Sequence, residues 1–166
     1  HWNENFYGPS QAAIDAMQQA SLKGAYYPDA LIKKLLAVIA EHNDLGIDNI
    51  TLSAGSTQAL SYLAQVKSRE NPIATTQLGW DAHLSFAQNI GGVIIRVDNG
   101  DNLEINLADI EAIAKKNISS VSIVNPNNPT GLLLDADELR ASVIRMSEKT
   151  LVIVDEAYNE ITDEPE

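Results

Sequence analysis

Val121-Ser122-Ile123-Val124-Asn125-Pro126-Asn127-Asn128-Pro129-Thr130-Gly131 is the stretch that decides the fold. The short, mostly apolar run Val121 to Val124 reads as a buried strand. It breaks into seven turn-type residues at once. Two prolines and a glycine there fix a rigid loop and hold the Asn128 amide in one orientation, where a bare turn would need only one of each.

The same arrangement recurs downstream. Val152-Ile153-Val154-Asp155-Glu156-Ala157-Tyr158 is an apolar strand that delivers two acids and a tyrosine to its own end. Upstream, Val93 to Val97 reads as another buried strand, and helices near Leu107 to Lys116 and Asp137 to Met146 separate the three. Strands alternating with helices imply right-handed parallel crossovers. The expected fold class is α/β, a mostly parallel sheet with helices on both faces, and ligands of such sheets gather at the carboxyl ends of the strands.

Further toward the start, Ile50 to Leu52 reads as a short strand leading into Ala54-Gly55-Ser56-Thr57, followed by a helix whose inward stripe is Ala59, Leu60, Leu63 and Ala64. The first ten residues, HWNENFYGPS, read as an extended arm closing on a helix N-cap at Ser10. Ala13, Ala16, Met17 and Ala20 share one face of that helix. Lys23 to Asp29 interrupts it through Gly24 and Pro28, and a second helix carries Ile32, Leu35, Leu36 and Ile39 at helical spacing. The expected organisation is an arm and first helix over 1–22 and part of a larger domain over 23–166.

With 166 residues the chain can bury a real core. Eleven Lys plus Arg against 23 Asp plus Glu give a formal charge of −12, which repels phosphodiester backbones and argues against a nucleic-acid partner. No apolar run approaches the roughly 20 residues needed to cross a bilayer, so no membrane partner and a cytoplasmic location are expected. The absence of cysteine excludes disulfides and thiolate chemistry. His1 and the Thr162-Asp163-Glu164-Pro165-Glu166 end are expected to be cuts within a longer chain.

Three features then carry chemistry, each expected just after a strand. Ser53-Ala54-Gly55-Ser56-Thr57-Gln58 exposes backbone N–H groups at a helix start, which either bind a phosphate or form an ordinary N-cap with no ligand. The loop at Asn125 to Gly131 is the second. The third ends in Asp155, a buried carboxylate that is costly without a cationic partner. A strand followed by Asp-Glu also suits the magnesium site of a P-loop NTPase, but no GxxxxGK[ST] segment is present.

NENFYGPS, YYPD, AGSTQAL, NPNNPTG and VDEAY occur in an order and at separations that resemble the fold-type I pyridoxal-phosphate aminotransferases of class I/II, most closely the histidinol-phosphate aminotransferase-like branch. The motifs span nearly the whole chain, and their combination is what makes the resemblance specific. It implies pyridoxal 5'-phosphate as cofactor and no metal. It also implies that Asp155 pairs with the protonated pyridine nitrogen, that Asn128 and Tyr158 hydrogen-bond the phenolic oxygen, and that Ser56 and Thr57 hold the phosphate. Trp80 stands where the family has an aromatic, commonly tyrosine, stacked on the cofactor ring, although Gly79-Trp80 departs from the usual Pro-Thr-Tyr context. Tyr27 would reach a neighbouring subunit's cofactor phosphate in a homodimer, and Tyr7 would line the substrate pocket. For Trp80, Tyr27 and Tyr7 a plain packing role stands beside the functional one.

The resemblance further implies transamination between a small-molecule amino donor and a 2-oxo acid acceptor. The family's Schiff-base lysine falls downstream of the Asp-Glu-Ala-Tyr strand, so no catalytic residue is expected among Lys23, Lys33, Lys34, Lys67, Lys115, Lys116 and Lys149, and the chain is expected to be an inactive N-terminal fragment. GSTQ, in place of an acidic pair, departs from the narrow histidinol-phosphate pattern. A pyridoxal-phosphate lyase or decarboxylase of the same fold, or a non-catalytic phosphate-ligand-binding fragment, are the other readings.

Overall fold

A computed structural model describes residues 4–162. By internal contacts the chain divides into two compact units, His1–Leu52 and Ser53–Glu166. The boundary expected after residue 22 falls inside the first unit, at Leu22, the C-cap of its first helix.

That unit holds two helices. α1 spans Gln11–Ser21 and starts where expected, with the Ser10 hydroxyl accepting from the Ala13 N–H. α2 spans Asp29–His42, followed by a single 3-10 turn at Ile47–Asn49. The periodicity of both helices is amphipathic, yet α1 buries no residue and α2 buries only Ala40.

The second unit is a doubly wound α/β layer. Its elements run α3 (Ser56–Lys67), β1 (Ile73–Thr76), α4 (Ala82–Asn89), β2 (Ile94–Val97), α5 (Leu107–Ala114), β3 (Ser120–Val124), α6 (Ala136–Ser147) and β4 (Leu151–Asp155), closed by a 3-10 turn at Asn159–Ile161. The four strands are all parallel in the order β2-β1-β3-β4. Strand alternation assigns the layers. Ala74, Val121 and Ile123 point to one face, where they pack with Ile110 and Ala114 of α5 and Leu139 and Met146 of α6. Ile73 points to the other, against Ala64 of α3 and Leu84 and Ala87 of α4. Helices therefore cover both faces, as the largely apolar β2, β3 and β4 anticipate.

Several elements differ from the sequence reading. Ile50–Leu52 forms no strand, because it pairs with nothing in the sheet. The central position belongs instead to β1, Ile-Ala-Thr-Thr, whose threonines disguise it; the Thr75 hydroxyl is satisfied internally by donating to the Ser122 carbonyl at 3.0 Å. The stripe of α3 is also rotated. Leu60, Ser61 and Ala64 are buried while Leu63 faces out, and Ser61 lies inward because its hydroxyl donates to the Thr57 carbonyl at 2.6 Å.

The packing ranks the residues of the α5/α6 layer. Ile110 is 1% exposed in the centre of the larger core cluster, so Ile110→Ala should destabilise the protein by about 3 kcal/mol. Ile144, outward on α6, should change stability by less than about 0.5 kcal/mol when truncated. Urea unfolding midpoints of the two variants check the contrast, and equal losses would contradict this assignment of the core.

Candidate functional site

The strand order contains a reversal. The chain leaves β1 toward β2 on one side and then builds β3 and β4 on the other, so the crevice between the carboxyl ends of β1 and β3 is the topological switch point where such sheets bind ligands. Three loops open there: Gln77–Asp81 after β1, Asn125–Gly131 after β3, and the segment after Asp155. The register sets Val124 beside Asp155, and the Asn125 N–H extends the ladder to the Asp155 carbonyl at 3.0 Å. Trp80, Asn128, Asp155 and Tyr158 thus belong to one edge of the sheet.

Each is held by local chemistry. The Asn128 side-chain amide donates to the Tyr158 hydroxyl at 3.1 Å, which joins the β3 loop to the segment after β4. The loop is itself closed by Gly131, at φ +72, whose N–H donates to the Asn127 carbonyl at 2.7 Å. The peptide bonds Asn125–Pro126 and Asn128–Pro129 are both cis. Asp155 is 8% exposed, and one of its carboxylate oxygens accepts from the Ala157 N–H at 3.2 Å. Among the described residues no lysine, arginine or histidine forms an ion pair with it. A buried carboxylate so placed can receive a cation.

The sequence reading missed His83. It is 1% exposed, its ring stacks on Trp80 with centroids 5.5 Å apart and planes 22° from parallel, and its Nε2 sits 3.4 Å from the Ser122 hydroxyl. Its Nδ1 is buried without a hydrogen-bond partner among the described residues. Burial lowers the His83 pKa, with Asp155 and Asp81 opposing the shift. Trp80 and His83 are three residues apart, a spacing that brings side chains together on a helical turn, and α4 is a helix the sequence reading did not assign. Arg96 of β2 pairs with Asp81, the residue capping α4.

Ser56 and Thr57 open α3 from a Gly55 N-cap at φ +73, with no strand before them. Glycine offers no side-chain cap, so their first-turn N–H groups have no intrahelical acceptor. Gln58 reaches back to accept from the Ala54 N–H at 2.8 Å, which holds the loop. Tyr7 and Tyr27 lie in the first unit, 99% and 93% exposed. The lysines of the second unit, Lys67, Lys115, Lys116 and Lys149, all precede a strand and so flank the amino edge of the sheet, opposite Asp155.

A parallel doubly wound sheet with a buried carboxylate at its switch point, in no ion pair among the described residues, has the architecture of an α/β ligand-binding domain. Comparison makes the assignment specific: the family model for aminotransferase class I and II matches residues 2–166, and the chain belongs to that family. It is 36% identical over 164 residues to histidinol-phosphate aminotransferase 2 of Nitrosospira multiformis, covering 95% of this chain and 40% of the relative. It is 32% identical to histidinol-phosphate aminotransferase of Halobacterium salinarum, covering 98% of this chain and 45% of the relative. Among solved structures, histidinol-phosphate aminotransferase of Sinorhizobium meliloti in complex with pyridoxal 5'-phosphate superposes with a TM-score of 0.85 at 25% identity, covering 98% of this chain and 45% of that one. The chain thus spans less than half the length of these relatives. No helix among the described residues is long and apolar enough to cross a membrane.

His83 gives the site a pH signature. Because its folded-state pKa lies below the ordinary 6.5, the unfolded chain binds a proton first, so its contribution to stability is present above about 6.5 and is lost as pH falls through the depressed value. His83→Phe should flatten that part of the profile. Urea midpoints of the two proteins between about pH 5 and pH 8 test this, and parallel profiles would refute it.

Proposed function

We propose that this chain is the cofactor-binding part of a pyridoxal 5'-phosphate-dependent aminotransferase of the histidinol-phosphate aminotransferase-like branch, acting on an amino acid or amino-acid-like donor and a 2-oxo acid acceptor. The observation that carries the reading is Asp155, a carboxylate 8% exposed at the switch point with no cationic side chain paired to it among the described residues. A protonated pyridine nitrogen is a cation of the right shape for that position. When bound, pyridoxal phosphate supplies an electron sink for the donor's α-carbon.

The residues of the chain then divide the work. Asp155 holds the proton on the ring nitrogen through a charge-assisted hydrogen bond. Asn128 and Tyr158, already bonded to each other, present an amide and a phenol to the ring's phenolic oxygen. Trp80 offers an aromatic face for stacking, a contact worth about a kcal/mol beyond area burial. The free N–H groups of Ser56 and Thr57 suit a phosphate. Tyr27 serves the partner's phosphate in a homodimer and Tyr7 the substrate, in the cytoplasm. The lysine that holds the cofactor lies in this reading outside these residues, which accords with every lysine of the second unit flanking the amino edge.

In the full-length protein Asp155→Ala should retain cofactor yet lose about a thousandfold in turnover, whereas Ser56→Ala and Thr57→Ala, which spare the backbone donors, should weaken cofactor retention by about tenfold or less. Transamination assays with histidinol phosphate as donor and equilibrium dialysis of the cofactor separate the two effects. Full turnover in Asp155→Ala would overturn the reading. Sedimentation at micromolar concentration should give a dimer, and a cofactor-loaded monomer would remove the cross-subunit role of Tyr27.

A further inference from the structure

Trp80 reaches the site on a loop that has no regular structure of its own. After Gln77 donates its N–H to the Val97 carbonyl at 2.7 Å, the backbone ladder of β1 ends. The next peptide is nevertheless held on both sides by side chains. The Leu78 N–H donates to Oδ1 of Asn99, which follows β2, at 2.8 Å, and the Leu78 carbonyl accepts from Nδ2 of Asn127, which follows β3, at 3.0 Å. The two asparagines extend the sheet by one rung where its backbone pairing has stopped.

Each asparagine is anchored in turn. Asn99 Nδ2 donates to the Leu103 carbonyl at 3.0 Å, and Leu103 adopts a left-handed conformation, φ +63, to close the loop that offers it. Asn127 is 2% exposed, its Nδ2 also donates to the Thr130 hydroxyl at 2.7 Å, and its backbone N–H donates to the Leu132 carbonyl at 2.8 Å. The orientation of both amides follows from Leu78, since a peptide N–H can only donate and a carbonyl can only accept. Gly79 shows how tightly the loop is drawn: a Cβ there would stand 2.7 Å from the Thr76 hydroxyl.

We infer that Asn99 and Asn127 are positioning residues for Trp80, clamping the Leu78 peptide from both sides so that the indole is presented at one fixed position beside His83. The use of that indole as a stacking face for the cofactor rests on the function proposed above; the clamp does not. The chemistry of the two bonds gives opposite requirements. Position 99 needs an acceptor, which aspartate supplies, and position 127 needs a donor, which aspartate lacks.

The test uses the full-length protein and reads the part of the tryptophan signal that belongs to Trp80, taken as the difference from the matched Trp80→Phe protein. Asn99→Asp should keep the wild-type emission maximum and acrylamide quenching. Asn99→Leu and Asn127→Asp should shift the emission to the red and raise the quenching constant about twofold, with the loop released. Asn99→Leu and Asn99→Asp, at the less buried position, suffice if Asn127→Asp does not fold. Identical behaviour of the two Asn99 variants, or unchanged shielding in a folded Asn127→Asp, would overturn the clamp. Cofactor dissociation measured in parallel should accelerate about tenfold in the released variants. Release of Trp80 without that acceleration would uphold the clamp and refute the stacking role of Trp80.

Discussion

The site depends on the register that puts Val124 of β3 beside Asp155 of β4. Parallel pairing brings strand ends of the same polarity to the same edge, so the residue following each strand arrives there wherever it lies in the sequence. A slip of one residue would turn the Asp155 side chain to the opposite face and move the Asn128 loop off the Tyr158 hydroxyl. The two apolar layers prevent it. Val121 and Ile123 are locked against α5 and α6, and the other face of β3 carries Ser120, Ser122 and Val124, whose two small serines leave room for α4 and the ring of His83.

This makes β3 an unusual mixture, fully buried yet with serine at two of its five positions. The Ser122 carbonyl accepts from Thr75, and its hydroxyl approaches His83, so that residue is well served. Ser120 Oγ has no partner among the described residues, and an unsatisfied hydroxyl of this kind costs on the order of 1–3 kcal/mol. The exposed Arg145–Glu111 pair between α5 and α6 returns little of that, because water screens it.

How far the sequence discloses this arrangement follows from where each signal is stored. β3 and β4 announce themselves as apolar runs ending in turn chemistry, so Asn128, Asp155 and Tyr158 stand out from residue order and strand ends alone. β1 is hidden because the Thr75 hydroxyl is satisfied by a strand 47 residues away, which no local pattern records. α4 is eight residues with no side-chain cap, too short for periodicity to declare, and His83 is hidden with it. Ile50–Leu52 fails in the opposite sense: β-branched residues give local propensity, but a strand exists only where a neighbour pairs with it. The part played by Asn99 is equally non-local, since its partner is a backbone group on another loop.

The sheet ends in two unequal rims. Along β2 the outermost strand carries Arg96, whose charge is tied to the cap of α4. Along β4 the rim is Leu151-Val152-Ile153-Val154-Asp155, a row of backbone donors and acceptors interrupted by no proline and bearing its single charge at the far end. Edge strands are commonly blunted by charge, proline or a bulge, and this one is blunted only at its tip. Among the described residues β4 therefore ends the sheet as a rim whose apolar length is uncharged, with the Asp155 carboxylate at its last rung.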